Sequence, residues 1–486
     1  RLEIQGQEGQ PAILQLNADD GDDNADYSRI YHGTDGSVLF QNFTSGSFET
    51  NIKTIGNGAV ELYHDNTKRL ETSATGITVT GEVTASQDYP NFQPTFDANF
   101  AASRTLDPRF TFQRVGPASF VNEFGKVVLV GENVPRFDHT FPEYWDEGTL
   151  GDSNSKGESR GLLMEESRTN IYKNNHNLTT ANDHGSITQT VNTTETTAPD
   201  GTLTATKIAA TGSDQWSRWD SNNGLDISTI NFTDTFSTSI YMKTVGTSNV
   251  NVAMDFGDNG SKTFSVGQEW KRYAISAVHH NYGPTTKFID LIFNGSVYIW
   301  GLQCENGAFP TSYIPTNGAA VTRGADTAFI DGEDFDNIYN DSEGTFVLQA
   351  TTGDLSSSNQ AAWGVEKASN RSGHFSVVGY RVGGGASGNT GAWYNANGST
   401  SAFHNMNAGV TAETPFKIAF GYKLNDMDAT TNGGTVLGDT SAAIDPDFDR
   451  FTLGSYHFGS MKIGHIQRAI YYSSKITDNQ LKTLTS

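Results

Sequence analysis

The chain has 486 residues, of which 35% are hydrophobic and 51 are Gly, and its formal charge is −23. A surface this acidic repels phosphate backbones and anionic lipids, so we expect no nucleic-acid partner and no membrane insertion, whereas neutral glycans and cations remain compatible. The many Gly, Ser, Thr and Asn residues favour short strands joined by turns, and we predict an all-β protein. Because residue 1 is Arg, we expect the numbered chain to be a fragment, a processed form or the ordered part of a longer protein.

Residues 1–85 alternate apolar and polar side chains between tight turns, which is typical of antiparallel strands. Val60 and Leu62 alternate with polar neighbours, the stretch HDNTK that follows supplies a turn, and Ile77 and Val79 repeat the alternation after a further turn at TSATG. The segment carries too few large apolar side chains to offset the entropy lost when it is ordered. We therefore expect its core to be completed by another domain of the chain or by copies of the segment, most simply three around an axis.

The stretch GNGAVELYHDNTKRLETSATGITVTG, together with AILQLNADDGDDNADYSRIYHGTDGSVLFQNF before it, resembles the shaft of bacteriophage tail fibres and other virion appendages. The resemblance is to phages of marine and aquatic bacteria in particular. It implies a homotrimeric, intertwined β stalk that is part of the virion, either in the phage tail or in another appendage. It also implies contact with other virion proteins at the N-terminal end.

Residues 86–169 hold short β runs broken by Gly and Pro, and we predict a connector that packs against its neighbours. Its second half, with the stretches ASFVNEFGKVVLVGENVPRFDH and RGLLMEESRTNIY, resembles a module that precedes carbohydrate-binding-like jelly rolls in phage structural proteins. The region carries a set of charged residues: Arg114, Arg136, Asp138, Glu165, Glu166 and Arg168. Catalysis is one interpretation of this set, and structural ion pairs with turn contacts are the interpretation that we adopt.

Residues 170–322 show about eight short strand patterns at regular spacing, which predicts an antiparallel sandwich. The stretch VYIWGLQCENGAFPTSYIPTNGAAVTRGAD resembles the closing strand and exit tail of galactose-binding-like jelly rolls. That resemblance implies a carbohydrate-binding-like domain, although many such modules are spacers. Cys304, the single cysteine, lies in this stretch, where we expect it to serve packing.

The stretch SDQWSRWDSNNG in this domain is a candidate glycan site. An exposed Trp beside charged and amide side chains is suited to stacking on a sugar ring while the polar groups bind hydroxyls. We predict that Trp216, Trp219 and Arg218 contact glycan. Two residues three apart on a flat strand face opposite ways, so the alternative is that one of the two tryptophans belongs to the core.

Residues 323–486 show a further strand series, which we predict to form a second sandwich. FKIAFGYKLND, RFTLGSY and the final segment resemble the closing part of concanavalin-like, laminin-G-type sandwiches. In that family a short helix follows the last strand, and here Thr477 is placed to cap a helix bearing Leu481 and Leu484. Domains of this kind bind glycans or proteins, and some hold Ca²⁺.

A Gly- and Asn-rich stretch, residues 383–407, presents Trp393 and Tyr394, which we predict as further glycan contacts. The alternative is that these aromatic rings pack on the sandwich or on a neighbouring chain. Three acidic runs, residues 19–26, 331–337 and 445–449, offer oxygen ligands that suit Ca²⁺. Solvated acidic turns are far commoner, so Ca²⁺ stays an open alternative and we predict neither a metal site nor another cofactor.

Several enzyme motifs are absent from the sequence, including Gly-x-Ser-x-Gly, His-Glu-x-x-His and the phosphate loop, and we predict no catalytic residue. The predicted function is that of a phage virion structural protein, a tail fibre that binds host-surface glycan through loops of its distal sandwiches. One alternative is a structural spacer or head-associated fibre without receptor binding. A polysaccharide depolymerase is the less favoured alternative, since acidic residues alone do not discriminate it.

Overall fold

The computed structural model describes residues 3–74, 76–80, 93–140, 156–175, 178, 182–226, 228, 234–256, 260–278, 288–353, 360–370, 375–383, 386–396, 398–406, 409–456, 459–460 and 463–486. The chain divides into two compact units, Arg1–Asp88 and Tyr89–Ser486, here called the first and second units. Nearly all regular structure is antiparallel strand, which confirms the all-β prediction. Among the described residues, no helix has the length and apolar character that crossing a bilayer requires.

The first unit is one seven-stranded antiparallel sheet in which each strand pairs with the next along the chain. Its strands are β1 (Ala12–Asn17), β2 (Tyr27–His32), β3 (Val38–Thr44), β4 (Ser47–Thr54), β5 (Val60–His64), β6 (Thr67–Ser73) and β7 (Gly76–Val79). Asp65 and Asn66 join β5 to β6 with φ of 51° each, the left-handed pair that a two-residue hairpin turn requires. The predicted turn at this position is therefore confirmed.

One face of this sheet carries an unbroken row of apolar side chains, in which each residue is the register partner of the next. We call this row the apolar ladder: Leu14, Ile30, Phe40, Ile52, Leu62, Leu70 and Val79. Its members are half-buried or exposed, with 43% of Phe40 and 40% of Leu62 accessible to solvent. Of the residues described in the first unit, only Ser37, Gln41 and Glu61 are buried, and all three are polar.

The opposite face of the sheet is mixed, since Leu39, Phe43 and Phe48 lie there beside charged and amide side chains. Arg29 Nε donates to Gln41 Oε1 over 2.7 Å, and Tyr63 Oη donates to Glu61 Oε2 over 2.7 Å. Lys68 Nζ lies 3.1 Å from Glu61 Oε1. The sheet has no second layer among the residues described in this unit, so the apolar ladder lacks the cover that the apolar face of a packed sheet has.

The second unit begins with short elements of the region predicted as a connector. They are β8 (Phe96–Asn99), α1 (Phe100–Ser103), β9 (Thr111–Gln113), β10 (Ala118–Val121), β11 (Val127–Val130), β12 (Phe137–His139), β13 (Ser159–Glu165) and β14 (Arg168–Asn170). The next strands form the middle sandwich: β15 (Asn182–His184), β16 (Ile187–Thr190), β17 (Thr206–Trp219), β18 (Thr235–Thr244), β19 (Val250–Phe256), β20 (Lys262–Val266), β21 (Lys271–Val278), β22 (Ile289–Asn306) and β23 (Val321–Arg323).

Strand β22 organises the middle sandwich. It pairs with β17 along one side and with β19 and then β18 along the other, so that a single sheet folds over a shared core. Ile240, Met254 and Leu291 lie in that core with Cys304, which is fully buried. Burial raises the pKa of the Cys304 thiol to about 12, in accordance with a packing role.

The C-terminal sandwich follows. Its elements are β24 (Thr327–Asp331), α2 (Gly332–Asp336), β25 (Glu343–Thr352), β26 (Gln360–Glu366), β27 (Phe375–Gly383), β28 (Ala386–Ala396), β29 (Ser399–Met406), β30 (Phe416–Lys423), β31 (Met427–Thr431), β32 (Leu437–Asp439), β33 (Arg450–Leu453), β34 (Ser455–Tyr456), β35 (Gly459–Ser460), β36 (Ile463–Tyr472) and α3 (Asp478–Thr485). Thr477 caps α3 through a capping box with Gln480, and Leu481 is fully buried, which confirms the predicted terminal helix.

The predicted connector is not a separate module, because four of its strands, β8, β9, β12 and β13, belong to the two sheets of the C-terminal sandwich. Strands β8 and β13 pair with β36 in one sheet, and β9 pairs with β24 in the other. The middle sandwich is inserted between these parts, and its entry and exit run side by side where β14 pairs with β23. The sequence did not reveal this arrangement, because each connector strand is short and its partner lies far along the chain.

Five charged side chains lie without solvent exposure next to the β14–β23 pair, and we call them the buried ion cluster: Arg114, Arg136, Glu165, Arg323 and Asp326. Arg136 bridges both acids, at 2.6 Å from Glu165 and 2.5 Å from Asp326. Arg323 lies 2.8 Å from Glu165. Burial would raise the pKa of Glu165, but Arg323 and Arg136 lower it to about 2, so this carboxylate is ionised at neutral pH.

A pH dependence of stability arises in the C-terminal sandwich from His404, whose pKa is lowered by burial next to Phe420. In the unfolded chain a histidine has a pKa near 6.5. Below that pH the unfolded state binds a proton that the folded state does not bind, so the free energy of unfolding falls as the pH drops. His404→Phe should therefore reduce the acid-side slope of the unfolding free energy by up to about 1.4 kcal/mol per pH unit. Urea titrations at several pH values measure this slope.

The control for that experiment is Met406→Leu, which changes another buried side chain of β29 and removes no titratable group. It should leave the slope as in the parent chain. An unchanged slope in His404→Phe would show that this side chain does accept a proton in the folded state.

Candidate functional site

Trp216 and Arg218 lie on β17 with their side chains on the same outer face of the middle sandwich, because they are two residues apart on one strand. His184 of β15 is the register partner of Trp216. The two rings stack with centroids 5.3 Å apart and planes at 11°. The Arg218 guanidinium carbon lies 4.3 Å from the centroid of the Trp216 ring.

The charge of Arg218 is matched on this face by Asp290 of β22. Nε and Nη2 of Arg218 donate to the two carboxylate oxygens over 2.8 and 2.6 Å. Asp255 of β19 is the register partner of Asp290, so a second carboxylate stands next to the first. We call His184, Trp216, Arg218 and Asp290 the outer-face patch.

The outer-face patch combines an aromatic surface with fixed polar groups. Trp216 is half-buried and His184 is exposed, so part of the stacked pair is accessible. Arg218 also packs on Phe288, with its guanidinium carbon 3.4 Å from the ring centroid, and its position is fixed by these contacts. Such an arrangement can stack on the apolar face of a sugar ring and bind its hydroxyls.

Two of the predicted contacts are not available to a ligand. Trp219 is fully buried in the core of the middle sandwich, because it lies three residues after Trp216 and faces inward. Tyr394 is fully buried in the C-terminal sandwich, and its hydroxyl oxygen accepts a hydrogen bond of 2.9 Å from the Asp445 backbone N–H. The prediction that these two side chains contact glycan is therefore corrected to a core role for both.

Trp393 lies on the outer face of β28, opposite in register to Phe403 of β29. The ring centroids are 5.6 Å apart and Phe403 is 37% exposed. The Trp393 ring lies over Gly391, where a Cβ atom would come within 2.6 Å of the indole. Gly391 thus permits the ring to lie flat on the sheet, and the pair, which we call the C-terminal aromatic patch, forms a second accessible aromatic surface.

The structure adds His184 and Asp290 to the residues predicted from sequence. Each lies opposite a β17 residue through strand pairing, and Asp290 is 72 positions from Arg218 in the chain. Nothing in the local sequence pattern indicates such pairs, since they depend on register. A strand-pairing prediction is the signal that would have found them.

Of the acidic runs, one brings carboxylates together within the described part of the chain. Oxygen atoms of Asp20, Asp22 and Asp26 lie within 4.8 Å of one another, and all three residues belong to the first run. In the third run Asp447 pairs with Lys367 at 2.8 Å. Ca²⁺ binding at the first run stays the alternative that the sequence analysis left open.

The charged residues of the connector region are engaged in structural contacts. Asp138 accepts from the Val121 N–H over 2.7 Å and lies 2.9 Å from Nε2 of His465. Burial would raise the pKa of Asp138, but the contact with His465 outweighs it and the pKa is lowered. With Glu165 also ionised, neither carboxyl holds the proton that a general acid needs at neutral pH. The prediction of no enzymatic activity stays a prediction.

No protein-family profile matches this chain, and no curated protein sequence matches it. Among solved structures, the CBM40 domain of Ruminococcus gnavus IT-sialidase bound to α2,3-sialyllactose has a TM-score of 0.26 and 16% identity over 30% of this chain and 84% of that one. The binding domain of botulinum neurotoxin serotype D/C has a TM-score of 0.26 and 12% identity, over 33% of this chain and 40% of that one. Trypanosoma rangeli sialidase has a TM-score of 0.26 and 9% identity, over 98% of this chain and 90% of that one. TM-scores this low carry no argument about function.

Proposed function

We propose that this protein is a glycan-binding fibre subunit of a bacteriophage virion, in which three chains present their sandwiches to a host-surface glycan. The observation that carries glycan binding is the outer-face patch. Trp216 stacks with His184 and Arg218, and part of this aromatic surface stays accessible beside the Arg218–Asp290 ion pair. The virion assignment is supported by the resemblance of residues 12–81 to phage fibre shafts.

The patch favours a neutral or amino sugar over an acidic one. Nε and Nη2 of Arg218 both donate to Asp290, so this edge of the guanidinium is not available for a bidentate contact with a sugar carboxylate. Asp255 adds a negative charge on the same face, and the whole chain carries −23. An anionic glycan would meet repulsion both near the patch and at longer range.

The trimer is supported by the apolar ladder of the first unit. Seven apolar side chains in direct register form a continuous surface, and no apolar side chain described in this unit is buried. Three such sheets, facing a common axis, would enclose one core from three identical faces. Three sites of modest affinity on one particle then act together, so that retention on a surface exceeds that of a single site by avidity.

Trp216→Ala should weaken retention of the full-length protein on neutral host polysaccharide by about tenfold or more, since it removes the stacking surface that most of the contact uses. Surface plasmon resonance on immobilised polysaccharide measures the loss. Trp393→Ala, which removes an aromatic ring of similar exposure from the other sandwich, is the matched comparison. If the Trp216→Ala protein is retained as strongly as the wild type, the outer-face patch is not the glycan site.

The same material separates the proposal from its two alternatives. A fibre that binds glycan retains polysaccharide without shortening it, whereas a depolymerase shortens it. A spacer or head-associated fibre without receptor binding does neither. Chromatographic sizing of the polysaccharide after incubation, together with labelling of the protein on the assembled virion, distinguishes the three.

A further inference from the structure

A row of accessible side chains leads from the outer-face patch across the middle sandwich. Trp216 of β17 has Ile292 of β22 as its register partner, and Ile292 has Ala253 of β19 on its other side. Ala253 in turn lies opposite Thr263 of β20. With His184 of β15, the row has one member on each of five neighbouring strands. We call it the cross-strand row: His184, Trp216, Ile292, Ala253 and Thr263.

The cross-strand row lies on the outer face of its sheet. Side chains that adjoin its members along the strands point inward, and Leu291, Phe293 and Met254 belong to the core of the middle sandwich. His184 and Thr263 are exposed, and the other three members are half-buried. Each member therefore presents part of its surface to solvent.

Polar side chains flank the row on both sides, two residues away along each strand. On one side they are register partners in the order Arg218, Asp290 and Asp255. On the other side they are three exposed residues, Asn294, Asn251 and Ser265. Carboxylate and amide oxygens accept hydrogen bonds, and amide nitrogens and hydroxyls donate them. A sugar ring that lies flat on the row would direct its hydroxyls towards these two flanks.

The length of the row suits several sugar rings in succession. Neighbouring strands lie about 4.8 Å apart, so five strands span about 19 Å. Successive rings of an extended glycan chain repeat at nearly the strand spacing. A pocket encloses most of its ligand, whereas the face of a sheet contacts a ligand from one side only. Each ring then makes few contacts, and useful affinity requires several rings.

We propose that the cross-strand row binds an internal stretch of an extended, linear neutral glycan, about four rings long, which runs across the strands. One ring stacks on Trp216, and the next rings lie on Ile292 and Ala253. This inference rests on the proposed function, because both use Trp216. It adds the class of ligand, a chain that is recognised along its length instead of at its end.

The test is isothermal titration calorimetry of the full chain with two-ring and six-ring probes from three β-1,4-linked series. The series are cello-oligosaccharides, manno-oligosaccharides and N-acetylated chito-oligosaccharides. In at least one series the six-ring probe should bind at least about tenfold more tightly than the two-ring probe, since the longer chain adds contacts beyond Trp216. Trp216→Ala should weaken the binding of both lengths.

Ala253→Gln separates the row from the patch. It places a longer side chain on the row two strands from Trp216, where it obstructs a long chain but not a two-ring probe. This variant should bind the six-ring probe at least about tenfold more weakly and the two-ring probe as the parent does, which also shows that the sandwich is folded. The matched control is Ser276→Gln, an exposed position on β21, a strand outside the row. It should bind both lengths as the parent does.

The outcomes distinguish this inference from the proposed function. If two-ring and six-ring probes bind equally, or if Ala253→Gln binds the six-ring probe as tightly as the parent, the cross-strand row is not the site, while glycan binding at the outer-face patch stands. If no probe of any series binds, glycan binding at the patch fails and this inference fails with it.

Discussion

Glu165→Gln should lower the free energy of unfolding of the second unit by about 3–5 kcal/mol, the range measured when one member of a buried ion pair is removed. The reason is the buried ion cluster. Glu165 neutralises Arg136 and Arg323, and all three side chains are without solvent exposure. Glutamine has a similar shape but no charge, so it leaves two guanidinium groups short of a counter-charge in a medium that solvates them poorly. Denaturant titration followed by circular dichroism measures the loss.

Glu123→Gln is the matched control for this substitution. Glu123 also pairs with two cations, Arg104 at 2.6 Å and Lys156 at 3.3 Å, but these pairs are open to solvent. Exposed pairs contribute little, so the control should change stability far less. The pH profile adds a second readout: Glu165 has a pKa of about 2 when folded against an ordinary 4.5, so its contribution is complete above pH 4.5 and is lost as the pH falls to 2. If Glu165→Gln and Glu123→Gln lower the free energy of unfolding equally, the stabilising role assigned to the buried ion cluster is wrong.

Phe40→Asp should abolish assembly of the protein through its first unit. Phe40 lies in the middle of the apolar ladder, with Ile30 and Ile52 as its register partners. In a trimer the substitution would place three carboxylates in one apolar core. Removing each of them from water costs several kcal/mol, and the three charges repel one another. The expected product is a single-chain species, and multi-angle light scattering measures its mass.

Leu39→Asp is the control, because Leu39 is the neighbour of Phe40 on the same strand and points to the opposite face, away from the apolar ladder. Lys53 is its register partner on that face and can accommodate the new charge. This variant should assemble as the parent does. If both variants assemble, or both fail, the apolar ladder is not the surface that joins the chains.

The strands and their faces were accessible from the sequence because alternation is a local property. Val60, Leu62 and Val79 could be assigned to strands by their period of two, and the Asp65–Asn66 turn by its residue types. Alternation also offered the alternative that one of Trp216 and Trp219 belongs to the core. It did not say which of the two was buried, since that depends on which face of β17 meets the other layer.

The parts that sequence reasoning missed depend on contacts between distant segments. Strand β13 pairs with β36 across some three hundred positions, so the connector could not be recognised as part of the C-terminal sandwich. His184 and Asp290 join the outer-face patch only through register with β17. Tyr394 was predicted to be exposed because its surroundings are rich in Gly and Asn, yet these residues belong to paired strands whose inner face covers the core.

The central claim is that the apolar ladder is covered by identical ladders of two further chains. The molar mass of the purified full-length protein at micromolar concentration, measured by native mass spectrometry, tests it most directly. The account predicts three times the 52.6 kDa of one chain. A species of 52.6 kDa whose first unit resists proteolysis would contradict it, because a lone sheet with this exposed apolar row would then be stable by itself.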